Sequence, residues 1–316
     1  MRVIFMGTPE FAVPTLQKLA NSGKHIVIEV FSQPDRPKGR GKKLAFPPVK
    51  EAALDLGLSC YQPESVRKSE VIEHIRELQP DVVVVVAYGK ILPKELLEIP
   101  RYGCINVHSS LLPKYRGAAP IHWAIYNGEE ESGVTTMLLD EGMDTGDILL
   151  AKTCNISDST TMGELHDQLK EDGALLLLDT LEGIGNGTLK PVKQDETWAT
   201  HAPLITKNDE VIDWKRNAEE VRNQVRAFNP WPGSYTHFRG ERLKIWKANV
   251  GVNLEPLLKI GEVRVHGKNV YVGTGKGNLA LLEVQPQSRA KVSAIDWARG
   301  QNLELGEYFI AEPDEE

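Results

Sequence analysis

The run Asp81-Val82-Val83-Val84-Val85-Val86-Ala87 constrains the fold more than any other stretch of the chain. Consecutive β-branched residues disfavour a helix and suit a pleated strand. The run has no polar alternation, so both faces of that strand must be apolar. That pattern belongs to a central strand of a mostly parallel sheet with helices on both sides. The surrounding sequence agrees. Short β-rich runs at residues 2–6, 26–31, 105–108, 134–139 and 148–152 are interspersed with amphipathic stretches at 13–21, 48–56, 69–78, 120–126 and 161–180. Such alternation predicts an α/β fold.

The pattern changes near residue 183, where Gly, Asn, Pro, Thr and Lys replace the periodic apolar residues, as in Gly185-Asn186-Gly187 and Ala202-Pro203. Beyond a helix expected over 217–227 come short strands broken by turn signals at Arg239-Gly240, His266-Gly267-Lys268-Asn269 and 273–278. Short strands with frequent glycine turns predict a small β-barrel. A length of 316 residues suits two domains. The expected organisation is an α/β domain over 1–189, a linker over 190–208 and a barrel over 209–316.

Several function classes drop out. Cys60, Cys104 and Cys154 form no CxxC pair and are too few for a disulfide framework. The histidines show no HExxH or paired spacing, so no metal is expected. Gly7-Thr8-Pro9-Glu10-Phe11 follows the first strand but lacks the second and third glycines of a dinucleotide fingerprint, which argues against NAD or FAD. Gly275-Lys276 is preceded by Val270 where a P-loop needs glycine, so a hairpin turn is expected there. The longest aliphatic run is too short to cross a bilayer, and the amino terminus lacks the features of a signal peptide. A cytoplasmic protein without a membrane partner is expected.

Charge singles out two regions. The whole chain carries a net −7, yet residues 214–303 hold 15 basic against 7 acidic side chains. A basic module points to a polyanionic partner. The second region is Asp35-Arg36-Pro37-Lys38-Gly39-Arg40-Gly41-Lys42-Lys43, which places Arg36, Lys38, Arg40, Lys42 and Lys43 just after the second strand. Open α/β sheets bind ligands at the carboxyl ends of their strands, so this loop is expected to meet phosphates.

The chemistry-bearing stretch is Asn106-Val107-His108-Ser109-Ser110-Leu111-Leu112-Pro113. On a strand, residues two apart share a face, so Asn106 and His108 project together. Gly142-Met143-Asp144-Thr145-Gly146-Asp147 adds a carboxylate in a loop between glycines. An amide donor suits an oxygen that becomes negative during acyl transfer. An imidazole suits an amine that must lose a proton, and a carboxylate can orient that ring and stabilise its charged form. Asn106, His108 and Asp144 are therefore the expected catalytic residues.

The run NVHSSLLPKYRGAAP at 106–120, together with Asp144, resembles the signature of folate-dependent formyltransferases. GTPEFAVPTL at 7–16, QPDRPKGRGKK at 33–43, AYGKILP at 87–93, IDW at 212–214 and AFNPWPGS at 227–234 are similar to members of that family that act on tRNA. The resemblance implies a Rossmann-like amino domain followed by an OB-like barrel that helps hold tRNA. It implies transfer of a formyl group from 10-formyltetrahydrofolate to the α-amino group of methionyl initiator tRNA. A monomer without an obligate protein partner is expected. Ser109, Ser110, Leu111 and Leu112 are implied to help bind the folate, and Arg40 leads the loop residues implied to meet the tRNA acceptor stem. Two alternatives stay open: a family member acting on an amino-sugar nucleotide, and an RNA-binding relative without catalysis.

Overall fold

The computed structural model describes residues 1–38 and 43–311, the side chains of Lys38 and Lys43 excepted. In chain order its elements begin with β1 (Arg2–Gly7), α1 (Val13–Asn21), β2 (Ile26–Phe31), β3 (Arg36–Lys38), β4 (Lys43–Ala45), α2 (Pro48–Asp55), β5 (Cys60–Tyr61) and α3 (Ser69–Glu77). They continue through β6 (Val82–Val86), α4 (Lys94–Leu97), β7 (Cys104–His108), β8 (Arg116–Gly117), α5 (Pro120–Tyr126), β9 (Glu131–Leu138), β10 (Ile148–Asn155), α6 (Met162–Gly185) and β11 (His201–Ala202). The chain divides into two compact units. The first comprises residues 1–120, 131–155 and 166–202, and the second 121–130, 156–165 and everything described from Pro203 onward.

The first unit is built on a seven-stranded sheet in the order β10-β9-β7-β6-β1-β2-β5. Pairings from β7 to β5 are parallel, and β9 and β10 add an antiparallel edge. The valine run is β6, placed between β1 and β7 as its pattern requires. None of its five side chains is more than 6% exposed. Burying a valine contributes roughly 1.5–3 kcal/mol, so this one strand anchors much of the core. One face of the sheet gathers Ile4, Met6, Val83 and Val85 with Val71 and Ile75 of α3, whose four-residue spacing puts both on one helix face.

Helix α6 starts where Thr161 and Glu164 exchange hydrogen bonds, Thr161 N–H to Glu164 Oε2 at 2.8 Å and Glu164 N–H to Thr161 Oγ1 at 3.3 Å. That reciprocal pair is a capping box, set by a threonine followed three residues later by a glutamate. Cys104 and Cys154 are buried and Cys60 is only half-buried. Burial pushes the Cys104 thiol up to about 12 and the Cys60 thiol to about 11, which keeps both protonated and unreactive near neutral pH.

The second unit contains α7 (Lys207–Glu210), α8 (Ala218–Ala227), β12 (Ser234–Phe238), β13 (Glu241–Val250), β14 (Glu262–His266), β15 (Asn269–Gly273), β16 (Asn278–Pro286), β17 (Val292–Ser293), α9 (Ala294–Gln301) and β18 (Glu307–Tyr308). Its antiparallel sheet runs β12-β13-β16-β15-β14-β18, with β17 on β16. A bridge between His237 and Ile310 returns the end of that path to β12, so the barrel is nearly closed, as in an OB-like fold. Arg239 and Gly240 both take positive φ, 49° and 78°, the backbone that a two-residue hairpin turn requires. Ile212, Trp214, Val225, Ile245, Val272 and Trp297 belong to its core.

Candidate active site

Strand β7 lies inside the first unit's sheet, next to the central β6 on one side and β9 on the other. Asn106 pairs with Val85 and Met137, and His108 with Thr135. The intervening Val107 faces Gly173 of α6, where an added Cβ would stand 2.8 Å from Val107 Cγ1. Asn106 and His108 therefore share the opposite face, as two-residue spacing predicts. Both are buried, at 9% and 6% exposure.

His108 Nε2 lies 3.0 Å from the Tyr115 carbonyl oxygen, which can only accept, so Nε2 carries a proton and donates it there. Its Nδ1 stands 3.7 Å from Asp144 Oδ2, within ion-pair range but beyond a hydrogen bond. The ring is thus oriented by the Tyr115 carbonyl, and Asp144 faces the other nitrogen.

The loop from Ser109 to Arg116 is tied down at several points. Ser110 Oγ donates to the Lys114 carbonyl at 2.6 Å. Thr135 Oγ1 donates to the Ser110 carbonyl at 2.7 Å and accepts from Leu112 N–H at 3.2 Å. Tyr115 sits at φ 60° and donates its N–H to Thr200 Oγ1 at 2.8 Å. Leu112 is buried, while Ser109 and Leu111 are half-buried. The Ser110 side chain is engaged in closing the loop.

Asp144 lies in the turn between β9 and β10, at φ 55°. Its Oδ2 accepts the Gly117 N–H at 2.8 Å. The turn is close-packed: a Cβ at Gly146 would collide with the Leu138 carbonyl oxygen. Gly117 itself takes φ 118°, and a Cβ there would come 2.8 Å from the Ala202 oxygen, across the parallel β8–β11 pair. Only glycine suits that position.

Residues 190–208, expected to be a linker, are partly ordered against this site. Gln194 Nε2 donates to the Asp144 and Gly146 carbonyls, each at 2.8 Å. Arg116, 3% exposed, donates to Gln194 Oε1 and reaches Glu196 through two further hydrogen bonds of 2.9 and 2.7 Å. The hydrogen bonds with Glu196 raise the Arg116 guanidinium pKa and hold the Glu196 carboxyl below the ordinary carboxylate range.

In the cationic region the described strands β3 and β4 pair antiparallel, with Arg36 opposite Ala45. Arg36 is exposed. Arg40 and Lys42 lie outside the described residues, and of Lys38 and Lys43 only the backbone is described. At the root of this pair, Lys50 Nζ donates to both Asp35 oxygens at 2.9 and 2.7 Å, and Gln62 Nε2 donates to Asp35 Oδ1 at 2.8 Å. Among the described residues, no hydrogen bond or ion pair joins Arg36 to Asn106, His108 or Asp144.

The structure thus sets the carboxylate 3.7 Å from the imidazole, with the amide on the same strand face as that imidazole. It also adds the Tyr115 carbonyl and Arg116, which lie inside the 106–120 run with no role read from it, and Thr135 and Gln194, which no sequence pattern places at the site. Arg116 leaves a faint signal as a cation followed by glycine and two alanines. Gln194, 50 residues beyond Asp144, leaves none.

Residues 1–181 match the model of the family described as formyl transferase, and residues 204–302 match that of the formyl transferase C-terminal domain. A relative named methionyl-tRNA formyltransferase from Pelotomaculum thermopropionicum is 49% identical, covering 97% of each chain. Another of that name, from Clostridium novyi, is 48% identical over 96% of this chain and 98% of its own. Among solved structures, WlaRD, a sugar 3N-formyl transferase, superposes with a TM-score of 0.64 at 20% identity, covering 92% of this chain and 99% of that one. HypX from Aquifex aeolicus in complex with tetrahydrofolic acid gives 0.62 at 18% identity, over 94% of this chain and 47% of its own. With both of its halves matched and relatives this similar along nearly their whole length, the chain belongs to the formyl transferase family.

Proposed function

We propose that this chain transfers the formyl group of 10-formyltetrahydrofolate to the free α-amino group of methionyl initiator tRNA, with tetrahydrofolate as the other product. The observation that carries this reading is the 48–49% identity, over nearly the full length, to relatives named methionyl-tRNA formyltransferase. Residues 1–189 act as the catalytic domain, 190–208 as the connection and 209–316 as the domain that helps hold tRNA. The protein works in the cytoplasm as a monomer.

In this reading the amine nitrogen attacks the formyl carbon, the bond from that carbon to the folate nitrogen breaks, and a proton passes from the attacking to the leaving nitrogen. Asn106 offers its amide N–H to the formyl oxygen as that oxygen becomes negative. His108 keeps Nε2–H on the Tyr115 carbonyl, so Nδ1 is its basic nitrogen. It takes the amine proton there, directly or through water, and returns it to the departing nitrogen. Asp144, 3.7 Å away, stabilises the imidazolium in between. Ser109, Leu111 and Leu112 contact the folate, and Ser110 keeps their loop in shape. Arg36, Lys38, Arg40, Lys42 and Lys43 meet tRNA phosphates.

Purified protein given 10-formyltetrahydrofolate and charged initiator tRNA should yield N-formylmethionyl-tRNA. Folded protein that leaves this substrate untouched, or that formylates an amino-sugar nucleotide instead, would overturn the reading.

A further inference from the structure

Gln194 uses its whole side-chain amide. Nε2 donates to the carbonyls of Asp144 and Gly146, and Oε1 accepts from Arg116 Nε at 3.0 Å and Nη2 at 2.8 Å. The amide cannot be reversed, because carbonyls only accept and a guanidinium only donates. Arg116 is buried, and its guanidinium is held from another side by Glu196. The next residue, Gly117, holds the Asp144 carboxylate through its N–H, and the preceding one, Tyr115, holds His108 through its carbonyl. Three consecutive residues therefore reach the imidazole, the Gln194 amide and the carboxylate. Asp144 sits at φ 55°, a conformation that a non-glycine residue keeps where its surroundings impose it.

We propose that Gln194 is a positioning residue for formyl transfer: anchored by Arg116, it holds the Asp144 turn so that the carboxylate keeps its place beside His108. This rests on the role given to Asp144 above. What the site requires of Gln194 is its two N–H donors, beyond its hydrogen bonds with Arg116. Gln194→Glu separates these requirements. It keeps the shape and the acceptor for Arg116, but sets an oxygen against the Asp144 and Gly146 carbonyls. Gln194→Met removes donors and acceptor together, and carries the same test if the Glu variant fails to fold.

In the formylation assay each variant should lose kcat by about 100-fold while KM changes by less than about threefold, the signature of a displaced catalytic group. Placed on Asp144→Asn, Gln194→Glu should add less than about threefold, because the two changes damage one function. With nitrogen-15 in the histidines, the neutral His108 Nδ1 signal of Gln194→Glu should move toward its position in Asp144→Asn. A kcat near that of the unaltered protein, effects that multiply in full, or an unmoved Nδ1 signal would overturn the proposal. The Nδ1 signal needs no substrate, so it decides the role of Gln194 even if the assigned reaction fails.

Discussion

The loop from Ser109 to Gly117 and the described strands of the segment from Arg36 to Ala45 both follow the carboxyl ends of parallel strands, yet their side chains are engaged differently. The first is held along its length: Thr135 binds Ser110 and Leu112, Thr200 binds Tyr115, and the Gly117 N–H is bound to Asp144. Among the described residues, the second has its side-chain hydrogen bonds at the root, from Lys50 and Gln62 to Asp35, with β3 and β4 paired beyond it, and it presents Arg36 to solvent. The difference follows from what each is proposed to do. Acyl transfer requires donors fixed to within a fraction of an ångström. Attraction of a polyanion requires only charge at a suitable place.

The largest test of this contrast is His108→Ala. It should lower kcat by about 10²–10⁴-fold, measured by formyl transfer, with tRNA affinity unchanged. A comparable loss of tRNA binding would erase the separation between the two loops. Next comes Asn106→Ala, expected to cost about 10²–10³-fold in kcat if the amide faces the developing negative oxygen. A change confined to KM would remove it from that role.

The cationic region should respond in the opposite sense. Replacing Arg36, Lys38 and Lys43 with Gln should weaken tRNA binding and reduce the slope of log affinity against log salt by roughly 0.7–0.9 for each phosphate no longer neutralised. Folate binding should stay as it was, and an unchanged salt slope would sink the assignment.

The smallest effect concerns the root of the cationic region. Hydrogen bonds from Lys50 and then Gln62 hold the Asp35 carboxyl below its ordinary value of 3.8. Its folded pKa is the lower one, so its stabilisation is in place above the unfolded pKa and is lost as pH falls through the folded one. Asp35→Asn should therefore lower Tm by on the order of 2 °C near neutral pH, and the two melting curves should converge in acid. A constant difference across that range would mean that the charge is irrelevant.

Legibility in the sequence follows the same division between local and distant partners. The valine run, the i, i+2 spacing of Asn106 and His108, the Thr161–Glu164 cap and the Arg239-Gly240 turn are decided within a few residues, and each is readable. Asp144 stands out because glycines mark its turn. Gln194 does not, because its partners, Arg116, Asp144 and Gly146, come from two separate loops, and its neighbourhood carries no periodicity. The nitrogen of His108 that faces Asp144 is equally hidden, since the Tyr115 carbonyl decides it through a backbone bend at φ 60°.

By itself, then, the sequence determined an α/β unit with a buried central strand, a small antiparallel barrel, and an amide and imidazole on one strand face. Steric preference and two-residue periodicity act locally, so a linear reading recovers them. Tertiary structure alone decided which nitrogen of His108 faces Asp144, how the Asp144 turn is held, and that the stretch after α6 packs against it. Those outcomes depend on burying donors and acceptors that only folding brings together, and buried polar groups must find partners wherever the fold places them.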